Sequence, residues 1–279
     1  MRPAPTCILS SFGEPRVEHG HDLDKFVEIG SLTKALTGTV LTGLASAGVL
    51  QLDDPVEYFV PAPAHTGITL RHLAEHTSGL PRVPPGIHRR DPYASFDAAA
   101  LDTLIQQLDS LTTSTPEQTE EYSNLGYAVL GAALCAASGA SYQELLQEYV
   151  LAPLDVTEVS SSPPPARRLC RRGMFGRPRR SWTMDGAILP AGGLWATPRA
   201  AAQVVTALLV ERKLGEPAPS WQTAGPLLWH NGATRDASVF TGAMPDGTWV
   251  LVHRLSGQGE TTDNLAIDLL KQAGTSSLP

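Results

Sequence analysis

The stretch FVEIGSLTK, residues 26–34, carries most of the information about the fold. Ser31 stands where a helix is predicted to start, and apolar residues recur behind it at helical spacing until Gly48, where the helix should stop. Lys34 follows one turn later, on the same face. At a helix N-terminus, free N–H groups surround a hydroxyl. The pattern is typical of an activated nucleophile, because the amine can accept the seryl proton and the Ser31 N–H can stabilise an oxyanion.

An SxxK match by itself is short, and a surface lysine on a serine-capped helix would produce the same pattern. A second triplet, Tyr122-Ser123-Asn124, falls at the start of another predicted helix. If Tyr122 lies near Lys34, the positive charge should favour its phenolate form and make it a base near neutral pH. Asn124 offers an amide to a substrate carbonyl. The two triplets together favour a reaction centre.

A third triplet, His230-Asn231-Gly232, ends a predicted strand. We expect these three residues to line the opposite wall of the site and to contact the substrate. Gly232 would admit a substrate backbone or ring closely, since it has no side chain. The next amide, that of Ala233, would complete an oxyanion hole with that of Ser31.

Beyond these triplets, the segments 68–81 (ITLRHLAEHTSGLP), 122–131 and 191–194 (AGGL) occur in the same order. With them, the sequence over about residues 26–242 resembles the serine β-lactamase and penicillin-binding D,D-peptidase superfamily. The resemblance is to its class C-like branch, which also contains esterases, D-aminopeptidases and acyltransferases. It implies hydrolytic or acyl-transfer chemistry that uses no metal or other cofactor.

The resemblance also implies a role for each residue. Ser31 would be the acylated nucleophile, and Lys34 and Tyr122 the pair that transfers protons. Asn124 would position the substrate. The amides of Ser31 and Ala233 would be the oxyanion donors.

Apolar runs near both chain ends predict the architecture. Strands are expected at 6–11 and 16–18, where they form a hairpin of two edge strands, and again over 227–255; a closing helix is expected at 265–273. We therefore predict an α+β, β-lactamase-like fold with an antiparallel sheet built from both termini and flanked by helices. Residues 1–50 and 185–279 would form the sheet domain and residues 51–184 a mostly helical domain, with the active site between them.

The composition excludes several classes of protein. A chain of 279 residues with 18% charged residues and a net charge of −7 is globular and poorly suited to general nucleic-acid binding. Its three cysteines form no CxxC pair, which favours a reducing compartment. We find no signal-peptide core and no apolar run long enough to span a membrane. The sequence thus predicts a cytoplasmic protein without membrane or nucleic-acid partners, and it leaves the oligomeric state open.

Three departures from the best-known members of the superfamily direct the functional expectation. Ser31 comes early, an export signal is absent, and His230 replaces a lysine that would hold a substrate carboxylate. We therefore expect a hydrolase or transacylase that acts on an ester, thioester or amide of a small metabolite, with an amine or alcohol acceptor in the case of transfer and a place in a biosynthetic pathway. A true β-lactamase, a D,D-peptidase or a D-aminopeptidase is the alternative, and a non-catalytic acyl-binding sensor is another.

Two further patterns remain open. His72 and His76 form an HxxEH motif, which is typical either of a zinc peptidase or of a helix end with capping hydrogen bonds. Seven arginines lie within residues 167–180 of a predicted loop. They form either a solvated, mobile loop or an electrostatic rim for an anionic substrate such as a nucleotide, a coenzyme A thioester or a carrier-protein phosphopantetheine.

Overall fold

The computed structural model describes residues 3–86, 90–173 and 176–276. The strands are β1 (Thr6–Ser10), β2 (Gly13–Glu18), β3 (Val27–Glu28), β4 (Val159–Ser160), β5 (Trp195–Ala196), β6 (Gln222–Ala224), β7 (Leu227–Ala233), β8 (Ser238–Ala243) and β9 (Trp249–Arg254). The α-helices are α1 (Thr33–Ser46), α2 (Leu70–Ala74), α3 (Ala98–Ile105), α4 (Leu108–Leu111), α5 (Asn124–Ser138), α6 (Tyr142–Leu146), α7 (Leu189–Gly192), α8 (Pro198–Val205) and α9 (Gly259–Ser276). Helices α6 and α8 continue as single π-helical turns over Gln147–Leu151 and Thr206–Val210.

The main sheet has the order β2-β1-β9-β8-β7-β6, and each neighbouring pair is antiparallel. It joins the N-terminal hairpin to the C-terminal strands, and α9 packs on β8 and β9. The predicted α+β fold with a sheet from both termini is therefore confirmed. The expectation of two edge strands is wrong for β1, which lies between β2 and β9. The burial pattern explains this, since β1 is almost wholly buried whereas every residue of β2 is exposed.

Helix α1 runs through the centre of the molecule. Most of its residues are buried, and it contacts α5, α6 and α7. One continuous apolar core includes Leu36 of α1, Leu130 of α5 and Leu251 of β9. Because this core crosses both predicted boundaries, the division at residues 50 and 185 stays a prediction.

Caps in the sequence fix where the helices begin and end. The hydroxyl of Ser123 accepts a hydrogen bond from the Gly126 amide and starts α5, so that Asn124 lies in its first turn. Gly139, with φ of +73°, ends the same helix in the left-handed region. The capping side chains therefore determine where the second triplet stands.

A helix was expected to start at Ser31, but a single 3-10 turn over Gly30–Leu32 precedes α1. The turn follows β3, which forms a small sheet in the order β3-β5-β4. Strands β3, β4 and β5 have only two residues each, which is too short to show a periodicity, so the sequence does not predict them.

Within the part of the chain that the structure describes, no single helix is both long and apolar enough to cross a bilayer. The pair Asn124–Ser138 and Tyr142–Leu151 passes the length and composition test together, but it is bent by 85°.

Candidate active site

The structure brings Ser31, Lys34 and Tyr122 together. Ser31 lies in the 3-10 turn, Lys34 in the first turn of α1, and Tyr122 directly before the cap of α5. The Nζ of Lys34 is 3.3 Å from Oγ of Ser31, and the hydroxyl of Tyr122 donates to the same Oγ at 2.5 Å. Residues separated by some ninety positions thus converge on one oxygen atom.

Lys34 is completely buried, although a lysine usually reaches solvent. Its Nζ donates hydrogen bonds to Oδ1 of Asn124 at 2.7 Å and to the carbonyl oxygen of Ala191 at 2.6 Å. Burial, and secondarily the positive charge of Arg82, holds the pKa of Lys34 well below its usual range. A neutral amine has two N–H groups and one lone pair. With both N–H groups engaged, the lone pair is left for the proton of Ser31.

Tyr122 differs from the sequence expectation of a phenolate. Burial raises its pKa to about 12, and the hydrogen bond to Ser31 only partly offsets this. The Nζ of Lys34 does lie over the Tyr122 ring, 4.7 Å from its centroid. However, burial also disfavours the ammonium form of Lys34, which weakens the stabilisation that its charge would give a phenolate. At neutral pH Tyr122 is a phenol that donates a proton, and Lys34 is the base of the pair.

The Ser31 turn packs against β7 near Ala233, since a Cβ added to Gly30 would lie 3.0 Å from the Ala233 nitrogen. Thr234 N–H donates to the Ala237 carbonyl at 2.9 Å, so the neighbouring pair of Ala233 and Ser238 is a non-hydrogen-bonded pair of the ladder. The Ala233 N–H therefore points away from β8. Strand β6 pairs only with the first residues of β7, which leaves this edge open beside the Ser31 turn. Two converging amides of this kind are suited to hold an oxyanion.

Gly232 is required for a different reason from the one predicted. A Cβ at this position would lie 2.3 Å from the carbonyl oxygen of Ile29 and 2.8 Å from the amide nitrogen of Ser31. The close approach is thus made by the protein's own backbone. Gly232 sets the distance between the two oxyanion donors.

Asn124 and Asn231 both line the site, and protein partners hold each side chain. Asn124 donates from Nδ2 to the Tyr93 hydroxyl at 2.9 Å while its Oδ1 accepts from Lys34. Asn231 donates to a carboxylate oxygen of Asp263 on α9 at 2.8 Å. These contacts fix the amide orientations that a substrate would meet.

His230, unlike the next three residues of the chain, does not line the cavity. Its side chain is buried beside the Trp221 ring, and its Nδ1 lies 2.7 Å from the Asn231 carbonyl oxygen. Burial lowers the pKa of His230 to about 4, so that the imidazole is neutral at neutral pH. It lies under the strand as a neutral neighbour of Lys34.

A cavity of about 620 Å³ opens above Ser31. Its wall includes the predicted residues Ser31, Tyr122, Asn124, Asn231, Gly232 and Ala233, together with Arg82, Tyr93, Trp182 and Thr234. Sequence reasoning missed Arg82, whose guanidinium lies 4.9 Å from the centroid of the Tyr122 ring. Its position in a proline-rich loop carries no signal of that contact. Arg82 places a cation in the cleft.

The HxxEH histidines have separate partners. His72 completes a capping box with Thr69 and contacts Glu117 at 3.0 Å, whereas Nδ1 of His76 accepts from the Ser123 amide at 3.1 Å. The capping interpretation therefore holds for His72. Among the described residues, no group of three or more His, Cys, Asp or Glu side chains is arranged to hold a metal ion.

The fold and the convergence of Ser31, Lys34 and Tyr122 fit the β-lactamase-like superfamily. The Beta-lactamase family model matches residues 11–271, and the chain belongs to that family, as its resemblance predicted. It is 33% identical over 204 residues to the D-alanyl-D-alanine-carboxypeptidase/endopeptidase AmpH of Escherichia coli K12, which is 68% of this chain and 51% of that protein. The chain thus spans about half the length of this relative.

Solved structures show the same fold. A beta-lactamase/D-alanine carboxypeptidase from Yersinia pestis superposes with a TM-score of 0.78 at 21% identity, over 96% of this chain and 92% of that one. A class C beta-lactamase from Rhodobacter sphaeroides gives a TM-score of 0.73 at 17% identity, over 97% and 95% of the two chains.

Proposed function

We propose that the protein forms an acyl-enzyme on Ser31 with an ester, thioester or amide of a small metabolite. One observation carries the proposal: Oγ of Ser31 lies 3.3 Å from a buried amine and 2.5 Å from a phenol. Burial favours the neutral form of both partners, because it lowers the pKa of the amine and raises the pKa of the phenol. An acceptor and a donor of protons therefore meet at one nucleophile.

Acylation follows from this geometry. As Oγ of Ser31 bonds to the substrate carbonyl carbon, its proton moves to Nζ of Lys34. The carbonyl oxygen becomes an oxyanion facing the amides of Ser31 and Ala233. When the intermediate collapses, the bond to the leaving group breaks and the leaving group takes a proton from the Lys34 and Tyr122 pair. Water or an amine or alcohol acceptor then attacks the acyl-enzyme by the reverse sequence.

The neutral His230 supports an ester, thioester or small amide as substrate. A permanent cation on β7 would hold a substrate carboxylate next to the oxyanion donors, and an imidazole with a pKa of about 4 supplies none. Asn231 presents a neutral amide at the same place. Hydrolysis and transfer share the same acyl-enzyme. They differ only in whether water or an amine or alcohol acceptor attacks it.

A D,D-peptidase is the second candidate. The name of the Escherichia coli relative supports it, and so does Arg82, which gives the cleft a cation for a terminal carboxylate. In that case the carboxylate would lie near the phenol of Tyr122 rather than along β7.

The test compares p-nitrophenyl esters, a D-alanyl-D-alanine peptide, D-amino-acid amides and nitrocefin, with and without an amine acceptor. We expect ester turnover and a mass increase on Ser31 equal to the acyl group. Ser31→Ala should lose both, and Ser46→Ala, at the exposed end of the same helix, should keep both. Turnover of the peptide alone would select the second candidate. An acylated Ser31 without product release would indicate a sensor, and unchanged turnover by Ser31→Ala would contradict the proposal.

A further inference from the structure

A second cavity of about 650 Å³ adjoins the Ser31 site. Four arginines, Arg168, Arg172, Arg179 and Arg180, line it, and Asp185 is the acidic residue of its wall. Trp182 lines both cavities, so they share a wall. A ligand of moderate length could therefore place one end at Ser31 and the other among the arginines.

The positive charge of this cavity is largely uncompensated. Arg179 forms an ion pair with Asp236 at 3.1 Å. Among the described residues, no carboxylate lies within ion-pair distance of Arg168, Arg172 or Arg180. Arg168 instead donates to the Pro163 carbonyl and lies over the Trp195 ring. Arg172 likewise donates to the Gly176 carbonyl at 3.0 Å. These hydrogen bonds to neutral acceptors leave the positive charge in place, so in a chain with a net charge of −7 this concave surface attracts anions selectively.

The arginines lie on a loop, as predicted, and backbone hydrogen bonds tie this loop to the rest of the molecule. Phe26 donates to the Arg167 carbonyl and accepts from the Leu169 amide, both at 2.8 Å. This pairing ties the segment to the residue next to β3, which leads to the Ser31 turn. Further along, Arg172 forms an antiparallel bridge with Pro178.

The C-terminal side of the segment is anchored to the active site as well. The amide and hydroxyl of Thr183 both donate to Asp91, at 2.9 and 2.8 Å, next to the site residues Pro92 and Tyr93. Arg235, two residues after Ala233, donates to the Arg180 carbonyl at 3.0 Å. The arginine cavity and the oxyanion donors therefore share a common framework.

We propose that this cavity binds a phosphate or diphosphate group carried on the leaving group or acceptor of the reaction at Ser31. Planar guanidinium groups match the oxygens of a phosphate with paired hydrogen bonds, and several of them together favour a group with more than one negative charge over a monocarboxylate. The anion site stands on its own geometry, whereas its role in the substrate rests on the function proposed above.

The first test measures binding without chemistry. Inorganic pyrophosphate is titrated calorimetrically into Ser31→Ala and into the same variant with Arg172→Ala and Arg180→Ala. We expect the added pair to weaken binding about tenfold or more. The matched control adds Arg16→Ala and Arg212→Ala, which remove the same charge from exposed positions on β2 and after α8. Equal weakening by the control pair, or equally tight binding of succinate, would overturn the phosphate site.

The second test asks whether the two cavities act together. The S-acetyl thioesters of pantetheine and of 4′-phosphopantetheine differ only in the phosphate. We expect the wild type to prefer the phosphorylated thioester in kcat/KM by about tenfold, and the preference to fall to about one in Arg172→Ala/Arg180→Ala. A preference unchanged in this variant would overturn the proposal. If pyrophosphate binding depends on the arginines but neither thioester is turned over, the anion site stands and its role in the substrate fails, whereas the acyl-enzyme function is decided separately by the p-nitrophenyl esters.

Discussion

Lys34 and the arginines of residues 167–180 are cations that the fold treats in opposite ways. Lys34 is fully buried, and desolvation holds its pKa well below the usual range, which favours the neutral amine. Arg172 and Arg180 are exposed, and a guanidinium stays charged at any physiological pH. The comparison shows that residue type and burial together decide whether a basic side chain acts as a base or as a binding charge.

The largest expected effect comes from replacing the buried Lys34. Lys34→Met keeps the volume but removes the acceptor for the Ser31 proton, so kcat/KM for p-nitrophenyl acetate should fall by about 10³-fold or more. Lys271→Met, on the exposed face of α9, should stay close to the wild type. Steady-state kinetics measures kcat/KM for both variants, and circular dichroism checks that both are folded. Activity within tenfold of the wild type would show that another group is the base.

Gly232→Ala should have the next largest effect. Its methyl group would meet the Ile29 carbonyl oxygen at 2.3 Å, so β7 must move away from the Ser31 turn and separate the oxyanion donors. We expect kcat to fall by about 10²-fold, the usual cost of one such donor. Gly13→Ala on β2, where the nearest atom is 3.9 Å away, is the matched control. Equal kinetics for the two variants would contradict the assigned oxyanion hole.

A smaller effect is expected from removing the charge of Arg82, which contributes with burial to the low pKa of Lys34. The positive charge of Arg82 helps to lower the pKa of Lys34, so Arg82→Gln should raise that pKa. Because Lys34 acts as a base only when neutral, the acid limb of the kcat/KM profile should move to higher pH. Arg82→Lys, which keeps the charge, should leave the limb in place. The profile is recorded with a neutral ester, and an unmoved limb in Arg82→Gln would mean that the charge of Arg82 does not reach Lys34.

The smallest effect is expected for the exposed arginines, in the free energy of unfolding. Arg172→Ala with Arg180→Ala should change the free energy of unfolding by no more than about 0.5 kcal/mol, because solvent-exposed charges contribute little to stability. Urea denaturation measures this change. A loss of several kcal/mol would show that the arginines support the fold and would weaken their interpretation as a binding surface.

Much of the fold follows from local sequence signals. The Tyr122-Ser123-Asn124 triplet at a predicted helix start and the apolar runs near the C-terminus place the beginning of α5 and the last strands correctly. The convergence of Ser31, Lys34 and Tyr122 could be expected only because three separate motifs resemble one family. Spacing along the chain says nothing about contacts across ninety residues.

Other features depend on tertiary environment and could not be predicted. The charge of Tyr122 depends on how much water reaches its hydroxyl, and the orientation of His230 on the packing under β7. The arginine run was visible in the composition, but its anchoring to Phe26 arises from backbone hydrogen bonds that leave no pattern in the sequence.

The most direct measurement of the central claim is an NMR titration of the lysine side chains. The chain has only Lys25, Lys34, Lys213 and Lys271, so each Cε and Nζ signal can be assigned by substitution. We predict that the signal absent from Lys34→Met titrates well below the usual lysine pKa of about 10.4. If that signal titrates at or above this value, Lys34 is an ammonium at neutral pH and cannot accept the proton of Ser31.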